Sequence, residues 1–541
     1  MADSNIEYVS EKQKDKEIFS NFRESNVQKS NKKLYTIILT ILIILIILII
    51  IIFLIFLIKS EKNSETFNEL SLIYDIDNIY NKVKLFDTST INIIKSITSM
   101  SINNENINPD SNYKFNQTGI YNIKIKLKND INSLSSLFKN CDNLIKVDFS
   151  KFNFEKINNI SNLFYGCFSL LNVTWPKSSN TNKIKDISFL FYDCSSLKSI
   201  DLSNIVTSSV IYMQNMFSYC SELNEININN FDTSNVIDME GLFDSCTSLT
   251  YINLYSFNTL KVKSMAKMFN GCISLTSIEL NNLKTQNVIN LSFMFNSCYN
   301  LKNINLENFD TSEVKFMNQM FRDCFSLISL NLKNFNSNNL QDIYQMFSGC
   351  TSLEIINIDN FNTSQITNMY NLFYKCSSLK NINLKNFDTS NVITMSGMFS
   401  HCYSLTSLNI SNFNFEKIVY LDNMFNNCSS LNTIIFNNNL EKKNLIQLSY
   451  MDYMFKSCKK LESIDLGFFG INNVLNINGL FEDCSLLSFI DLSNLNTSNI
   501  EYKENIFKGI SDQGIFIFNS TIFDEKLLNS LPDKWSKIDI K

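Results

Sequence analysis

Residues Asn386–Leu405 read NFDTSNVITMSGMFSHCYSL, and Met268–Leu280 read MFNGCISLTSIEL. Registered on Cys402 and Cys272, both stretches place Met-Phe just ahead of the cysteine and Leu three residues after it. Working outward, the same frame recurs at Cys141, Cys167, Cys194, Cys220, Cys246, Cys272, Cys298, Cys324, Cys350, Cys376, Cys402, Cys428, Cys458 and Cys484, which together are all 14 cysteines of the 541-residue chain. The steps are 26 residues, apart from one of 27 before Cys194 and one of 30 before Cys458. A fixed period of this size marks a solenoid, in which one coil is too small to fold alone and stacking supplies the core. That period overrides the several domains that the length would otherwise suggest.

With each cysteine taken as position 0, Phe stands at −3 in every copy, from Phe138 to Phe481, with Met or Leu before it. Aliphatic residues or Met stand at −10 and −7, and Leu stands at +3 from Leu144 to Leu487. Apolar residues at +6 and +8 around a polar +7 have period two, so a short strand with one inward face is predicted there. The −10, −7, −4, −3 set fits one face of a short helical or 3₁₀ turn. Runs such as Asn308–Ser312 and Asn386–Ser390 carry Asn, Asp, Thr and Ser, which favour turns by bonding their own backbone. The expectation is a solenoid of about 14–15 coils, each with a short parallel β-strand and a short helical or 3₁₀ turn, the strands about 4.8 Å apart.

The unit MFxxCxxLxxIxLxxFDTSxVxxM resembles the bacterial-surface-protein repeat of the BspA-like leucine-rich-repeat family over about residues 130–510. The lead-in GIYNIKIKLKN and the LPDKW near the C-terminus are similar to that family's flanking segments, with Lys534 where glycine is commoner. The resemblance implies a leucine-rich-repeat-like fold and a surface-exposed recognition or adhesion module, and names no ligand. In the general pattern LxxLxLxxN the ladder asparagine would fall at 231, which is Phe, whereas Asn230 precedes it.

Solenoid ends need caps, because open edges invite further pairing. Tyr121–Lys128, YNIKIKLK, alternates cleanly and places an N-terminal cap over 111–131, with the repeats over 132–510. After the decayed repeat Ile506–Ile510, residues 511–541 with Pro532 and Trp535 read as the C-terminal cap. Leu34–Ile58 holds 25 residues without a charge. At 1.5 Å per residue this exceeds a hydrocarbon core of roughly 30 Å. It is too long for a signal-peptide core and lacks a small-residue cleavage site after it, so 34–58 is expected to be an uncleaved transmembrane signal anchor. Arg23, Lys29, Lys32 and Lys33 precede it, while Lys59 and Lys62 beyond it are interleaved with Glu61, Glu65 and Glu69. This bias predicts a single-pass protein with a cytoplasmic N-terminus and an extracellular repeat region. Residues 1–33 read as a disordered cytoplasmic tail and 59–110 as a stalk.

Composition narrows the chemistry. Lys+Arg 47 against Asp+Glu 52 gives a net charge of −5, unlike the basic stripe of a nucleic-acid binder. Only 11 glycines and one histidine, His401, are present. No glycine-rich phosphate loop occurs, and histidine triads and Cys/His zinc sites lack their key residue. No catalytic residue, metal site or cofactor is expected. One cysteine per coil supplies no CxxC pair, and parallel side-chain vectors suit disulfides poorly. The cysteines are expected as a structural column of buried reduced thiols.

The +7 row carries Asn227, Asn253, Asn305, Asn331, Asn357, Asn383 and Asn409. Asn is depleted in strands, so its recurrence has two readings: an amide ladder between coils, or a polar face that contacts a ligand. Repeated Thr-Ser pairs are assigned to turns. Sequons at Asn116, Asn159, Asn172, Asn290, Asn362, Asn409, Asn496 and Asn519 are possible glycosylation sites, whereas Asn427 adjoins a buried cysteine. Function follows as adhesion to, or recognition of, a protein or glycan partner by a membrane-anchored, non-enzymatic solenoid. The competing reading is a self-associating surface coat or spacer.

Overall fold

The computed structural model describes residues 31–55, 68–88, 95–177, 180–436, 443–445, 447–467 and 469–541. The chain divides into two units, 1–66 and 67–541. The expected tail over 1–30 and the segment 56–67, with the last three residues of the expected span, lie outside the described residues. In the first unit, Asn31–Ile55 is one helix, long and apolar enough to cross a membrane, with its side chains exposed throughout. Residues 31–33, expected in the tail, are already helical. The two threonine hydroxyls in its apolar stretch are tied to the backbone: Thr36 Oγ1 donates to Lys32 O at 2.8 Å and Thr40 Oγ1 to Ile37 O at 3.1 Å.

The second unit is a stack of coils whose buried residues form one continuous core. Inside each coil the −10, −7, −4, −3, 0, +3 and +8 side chains are buried, as in Val314, Met317, Met320, Phe321, Cys324, Leu327 and Leu332. Three-residue parallel strands pair across coils, as Ser199–Asp201 with Glu225–Asn227 and Ser329–Asn331 with Ile355–Asn357. In the coils of Cys246, Cys272, Cys298 and Cys376 the equivalent residues hold no assigned strand.

The expected helical or 3₁₀ turn takes a different form. Its i→i+3 hydrogen bonds are present, as Leu137 N to Leu134 O and Cys141 N to Phe138 O. No helix results, because positions −5 and −1 are left-handed, as Ser136 at φ 61° and Asn140 at φ 56° show. A positive φ at the third residue makes each a type II turn, and two such turns follow one another in every coil. Alternate N–H groups are thereby released to the next coil: Leu134, Ser136, Phe138 and Asn140 donate to Asn159, Ser161, Leu163 and Tyr165 carbonyls. The turns thus form their own parallel ladder.

The stalk expectation over 59–110 is corrected by the structure for its described part. Strands β1 (Asn68–Ile76), β2 (Val83–Lys84), β3 (Ile97–Ile102), β4 (Glu105–Ile107), β5 (Asn112–Tyr113), β6 (Gly119–Leu127), β7 (Leu144–Asp148) and β8 (Asn172–Thr174) occupy this end. Six of them form one sheet in the order β4-β3-β6-β1-β7-β8. β1 lies antiparallel between β6 and the first coil's β7. Its alternate residues Leu70, Leu72, Tyr74 and Ile76 are buried. The N-terminal cap therefore starts at Asn68, well before 111. At the opposite end Gln513–Phe518 pairs in parallel with Phe489–Asp491 and with Lys534–Asp539. Trp535 is buried there and its Nε1 donates to Ser511 O at 2.8 Å.

Candidate recognition face

The site is defined first by what the core consumes. Phe at −3 forms one stack from Phe138 to Phe507, with ring centroids 5.3–6.3 Å apart and planes 2–16° from parallel. Offset stacking of this kind adds about 0.5–1.5 kcal/mol per pair beyond burial. The cysteines run alongside, all buried and all free. Each thiol from Cys167 onward donates to the −3 carbonyl of the preceding coil, as Cys324 Sγ to Phe295 O at 3.1 Å and Cys350 Sγ to Phe321 O at 3.0 Å. That carbonyl already accepts the N–H of its own coil's cysteine, so the thiol fills its second lone pair. Cys141 has no earlier coil, and Tyr74 of the cap lies beside its thiol instead, its own hydroxyl donating to Leu85 O at 2.7 Å. Burial pushes every one of these thiols up, to about 12 for Cys428 and for Cys484. A thiol so raised stays protonated at neutral pH and is a poor nucleophile. All 14 thiols are thus enclosed in the core.

Two further ladders run along the coils. Buried threonines at +13 accept and donate to the same residue of the next coil: Thr259 Oγ1 accepts from Lys284 N at 2.7 Å and donates to Lys284 O at 2.8 Å. Thr207, Thr233 and Thr389 repeat this. The Thr of each Thr-Ser pair therefore bonds between coils, while Ser at +14 closes a local turn, as Ser234 N donates to Asp232 Oδ1. Asparagines at +10 donate to the +9 carbonyl of the preceding coil, as Asn360 Nδ2 to Lys333 O at 2.7 Å and Asn282 Nδ2 to Tyr255 O at 3.0 Å. Asn230 belongs to this row, so the ladder asparagine sits one place before the general leucine-rich position. Asn235, Asn287, Asn339 and Asn391 at +15 form a second such row.

The +7 residues are neither of the things expected of them in full. Asn253, Asn305, Asn331, Asn357, Asn383 and Asn409 use Oδ1 to accept the N–H two residues on, closing the turn that ends each strand. Asn227 does so more weakly, at 3.4 Å. No +7 amide reaches the next +7 amide among the described residues. Asn253 Nδ2 and Asn383 Nδ2 instead reach the +9 side chains Asn229 and Asp359. The remaining amide nitrogens face outward from exposed or half-buried residues. The structure thus brings the row onto one outward surface with its oxygens already committed.

Position +5 shares that surface and was not singled out by sequence. It carries Glu225, Tyr251, Ser277, Asn303, Ser329, Ile355, Asn381 and Ser407, all exposed. Its signal was variability beside the constant aliphatic residue at +6. Ile355 is 67% exposed and, with Glu354, Lys380, Asn381 and Asn383, borders a shallow depression of about 550 Å³. Lys380 Nζ pairs with Glu354 Oε2 at 3.2 Å across its rim.

Among the sequons, Asn159, Asn290 and Asn362 close local turns through their oxygens; the Ser161 and Ser292 partners of the first two are buried, and Ser364 of the third is half-buried. Asn496 and Asn519 also cap turns and are half-buried, while Asn116, Asn172 and Asn409 are exposed.

Comparison with known proteins gave no match to a curated protein. Among solved structures, a leucine-rich repeat protein from Eubacterium ventriosum ATCC 27560 matches at 16% identity over 61% of this chain and 81% of that one, with TM-score 0.32. The functional domain of InlJ from Listeria monocytogenes, described as including a cysteine ladder, matches at 12% identity over 73% of this chain and 70% of that one, with TM-score 0.19. A TLR13–ssRNA13 complex matches at 15% identity over 73% of this chain, with TM-score 0.25, and this chain spans 62% of that one. At these scores the coil geometry above, and not the likeness, carries the fold. The family described as "Mycoplasma protein of unknown function, DUF285" matches residues 59–176, 132–251, 173–276, 238–355, 276–382, 341–444 and 432–515. Those overlapping matches follow the cysteine comb from cap to cap, and the chain belongs to that family.

Proposed function

We propose that this is a membrane-tethered, BspA-like surface protein whose solenoid recognises or adheres to a protein or glycan partner through the outward +5 and +7 positions of its strands. The helix over Asn31–Ile55 serves as the uncleaved anchor, with the N-terminus in the cytosol and the repeats outside. The reading assigns no catalytic role to any residue and no nucleic acid as partner.

The observation that carries it is the division of labour within the coil. Inward and ladder positions repeat the same residue types in coil after coil, while the +5 position beside them changes from Glu225 to Tyr251 to Ser277 to Asn303. A surface that varies over a scaffold that does not is suited to recognition, and repeat solenoids use their extended faces in this way. Protease shaving of intact cells tests the orientation. Loss of the repeat region with retention of the N-terminal tail is expected, and protection of the repeats would overturn the reading. Sedimentation of the purified chain in detergent separates a recognition module from a self-associating coat: concentration-dependent growth beyond a fixed species would favour the coat.

A further inference from the structure

We propose that a cleft in the N-terminal cap binds an acidic saccharide, a sugar that carries a carboxylate or sulfate group. The cleft has a volume of about 560 Å³, within the range of about 300–1,000 Å³ usual for small-molecule sites. It lies on the outward face of the cap sheet, where β1 runs between β6 and β7. The register puts Ser71 opposite both Lys124 and Asp148, and Ile73 opposite both Asn122 and Lys146. The short Ser71 on the middle strand, between the longer Lys124 and Asp148 on its neighbours, opens the groove.

Its wall is fixed in advance. Asn103 and Asn104 form the two-residue loop between β3 and β4, both left-handed at φ 47° and 72°, as a type I′ hairpin requires. Asn103 N donates to Asn122 O at 2.8 Å, and Asn122 N donates back to Asn103 Oδ1 at 2.9 Å. The hairpin tip is thereby clasped to β6, and a preformed wall spares a ligand the cost of ordering it. A register irregularity between Ile73 and Tyr74 on the β7 side falls next to Lys146, and bulges of this kind re-aim neighbouring side chains.

The lining selects the ligand class. Lys124 Nζ spends one donor on Asn104 Oδ1 at 3.3 Å, which leaves others. Lys146 has no ion pair or side-chain hydrogen bond among the described residues, so two ammonium groups are available to an anion. Asp148 accepts one turn N–H through Oδ1 and keeps its other oxygen for a hydroxyl. Ser71 and the amides of Asn104 and Asn122 both donate and accept, as sugar hydroxyls do, and half-buried Ile73 offers an apolar floor to the C–H face of a ring. A bare phosphate or sulfate would use the lysines and amide donors but not the apolar floor.

The proposal rests on the recognition reading above, and its test fails separately from shaving of cells. Full-length protein in nanodiscs is titrated by calorimetry with a glucuronate-containing disaccharide, a sulfated disaccharide, their neutral counterpart and inorganic sulfate. At least one acidic disaccharide is expected to bind at least tenfold more tightly than the neutral sugar and than sulfate. Lys146→Ala and Lys124→Ala are each expected to weaken that binding at least fivefold, Ser71→Trp to abolish it, and Lys537→Ala, on the C-terminal cap strand Lys534–Asp539, to leave it unchanged. Circular dichroism identifies any variant that has not folded. Absence of binding by both acidic sugars, equal binding of neutral and acidic sugars, sulfate binding as tightly as the sugars, or indifference to folded Lys146→Ala would each overturn the proposal.

Discussion

Raising the pH should unfold this protein through its cysteines. In the coils all 14 thiols are buried and free, and burial holds their titration far above that of an unfolded thiol near 9.0. A group whose folded titration point is raised contributes stability that is complete below the unfolded value and is lost as pH climbs toward the folded one. For one thiol with an unfolded value of about 9, the loss at pH 10 is about 1.4 kcal/mol. Taken over the whole column the loss approaches about 20 kcal/mol, which exceeds the roughly 5–15 kcal/mol of a typical domain. Unfolding is therefore expected between about pH 9 and pH 10.5 at 25 °C, steeply, because many protons leave together. Far-ultraviolet circular dichroism and thiolate absorbance are followed together on full-length protein in detergent with reductant present. Both should change in one transition. Thiolate absorbance that rises near pH 9 while the dichroism stays native would refute the argument, because it would mean that the thiols ionise inside the fold. Substituting Val for Cys298, Cys324 and Cys350 together should move the transition upward and make it shallower.

Thr259→Val removes both bonds to Lys284 and leaves two backbone groups unmet, so it should cost about 2–3 kcal/mol in urea denaturation, with Thr259→Ser costing far less. At Gly349, φ is +78° and an added Cβ would collide with Asp323 Oδ1. Gly349→Ala should therefore lower the melting temperature, and an Asp323→Gly background should restore part of the loss. Glu482 lies between Lys456 and Lys508, each at 2.7 Å, and their hydrogen bonds hold its carboxyl below its ordinary value. Stability from this group is present above about pH 4.5 and is lost as pH falls through the depressed value. Hydrogen exchange at the amides of 456–508 should accelerate on acidification, and Glu482→Gln should remove that dependence.

The comb of cysteines, the Phe and Leu beside it and the alternation at +6 and +8 were enough to predict coils, core and direction of stacking, because each places an apolar side chain where only stacking can bury it. The turn side was harder. Apolar residues at −10, −7, −4 and −3 satisfy a helical face, yet consecutive four-residue turns have almost the same spacing. What separates them is the pair of positions that must tolerate positive φ. The −1 residues include Asn140, Gly166, Asp193, Gly271, Gly349 and Asn427, types that enter the left-handed region most readily. The cap was misread for another reason. Leu70, Leu72, Tyr74 and Ile76 alternate as cleanly as Tyr121–Lys128 do, but the strand pairs across a sequence gap that no local pattern reveals. Asparagine was the most ambiguous signal. It serves as a turn cap at +7 and as an inter-coil donor at +10 and +15, and the residue type alone does not distinguish the two.

That division of asparagines bears on how a partner would be held. A matched lattice, such as a coat built from copies of one contact, calls for the same outward group on every coil at the repeat spacing. This chain can build such rows, since the +10 asparagines form one, with Asn282, Asn308, Asn334, Asn360 and Asn386 each tied to the coil before. It places them where they hold the coils together. On the strand face, Tyr251, Ser277, Asn303, Ser329, Ile355 and Asn381 follow one another at +5, so neighbouring coils offer different chemistry. Contacts along such a face do not repeat, and a bound partner would be fixed in one register along the axis. Moving the outward residues of one coil to the next should then abolish binding while leaving the core untouched. A repeating-lattice contact would survive the same exchange.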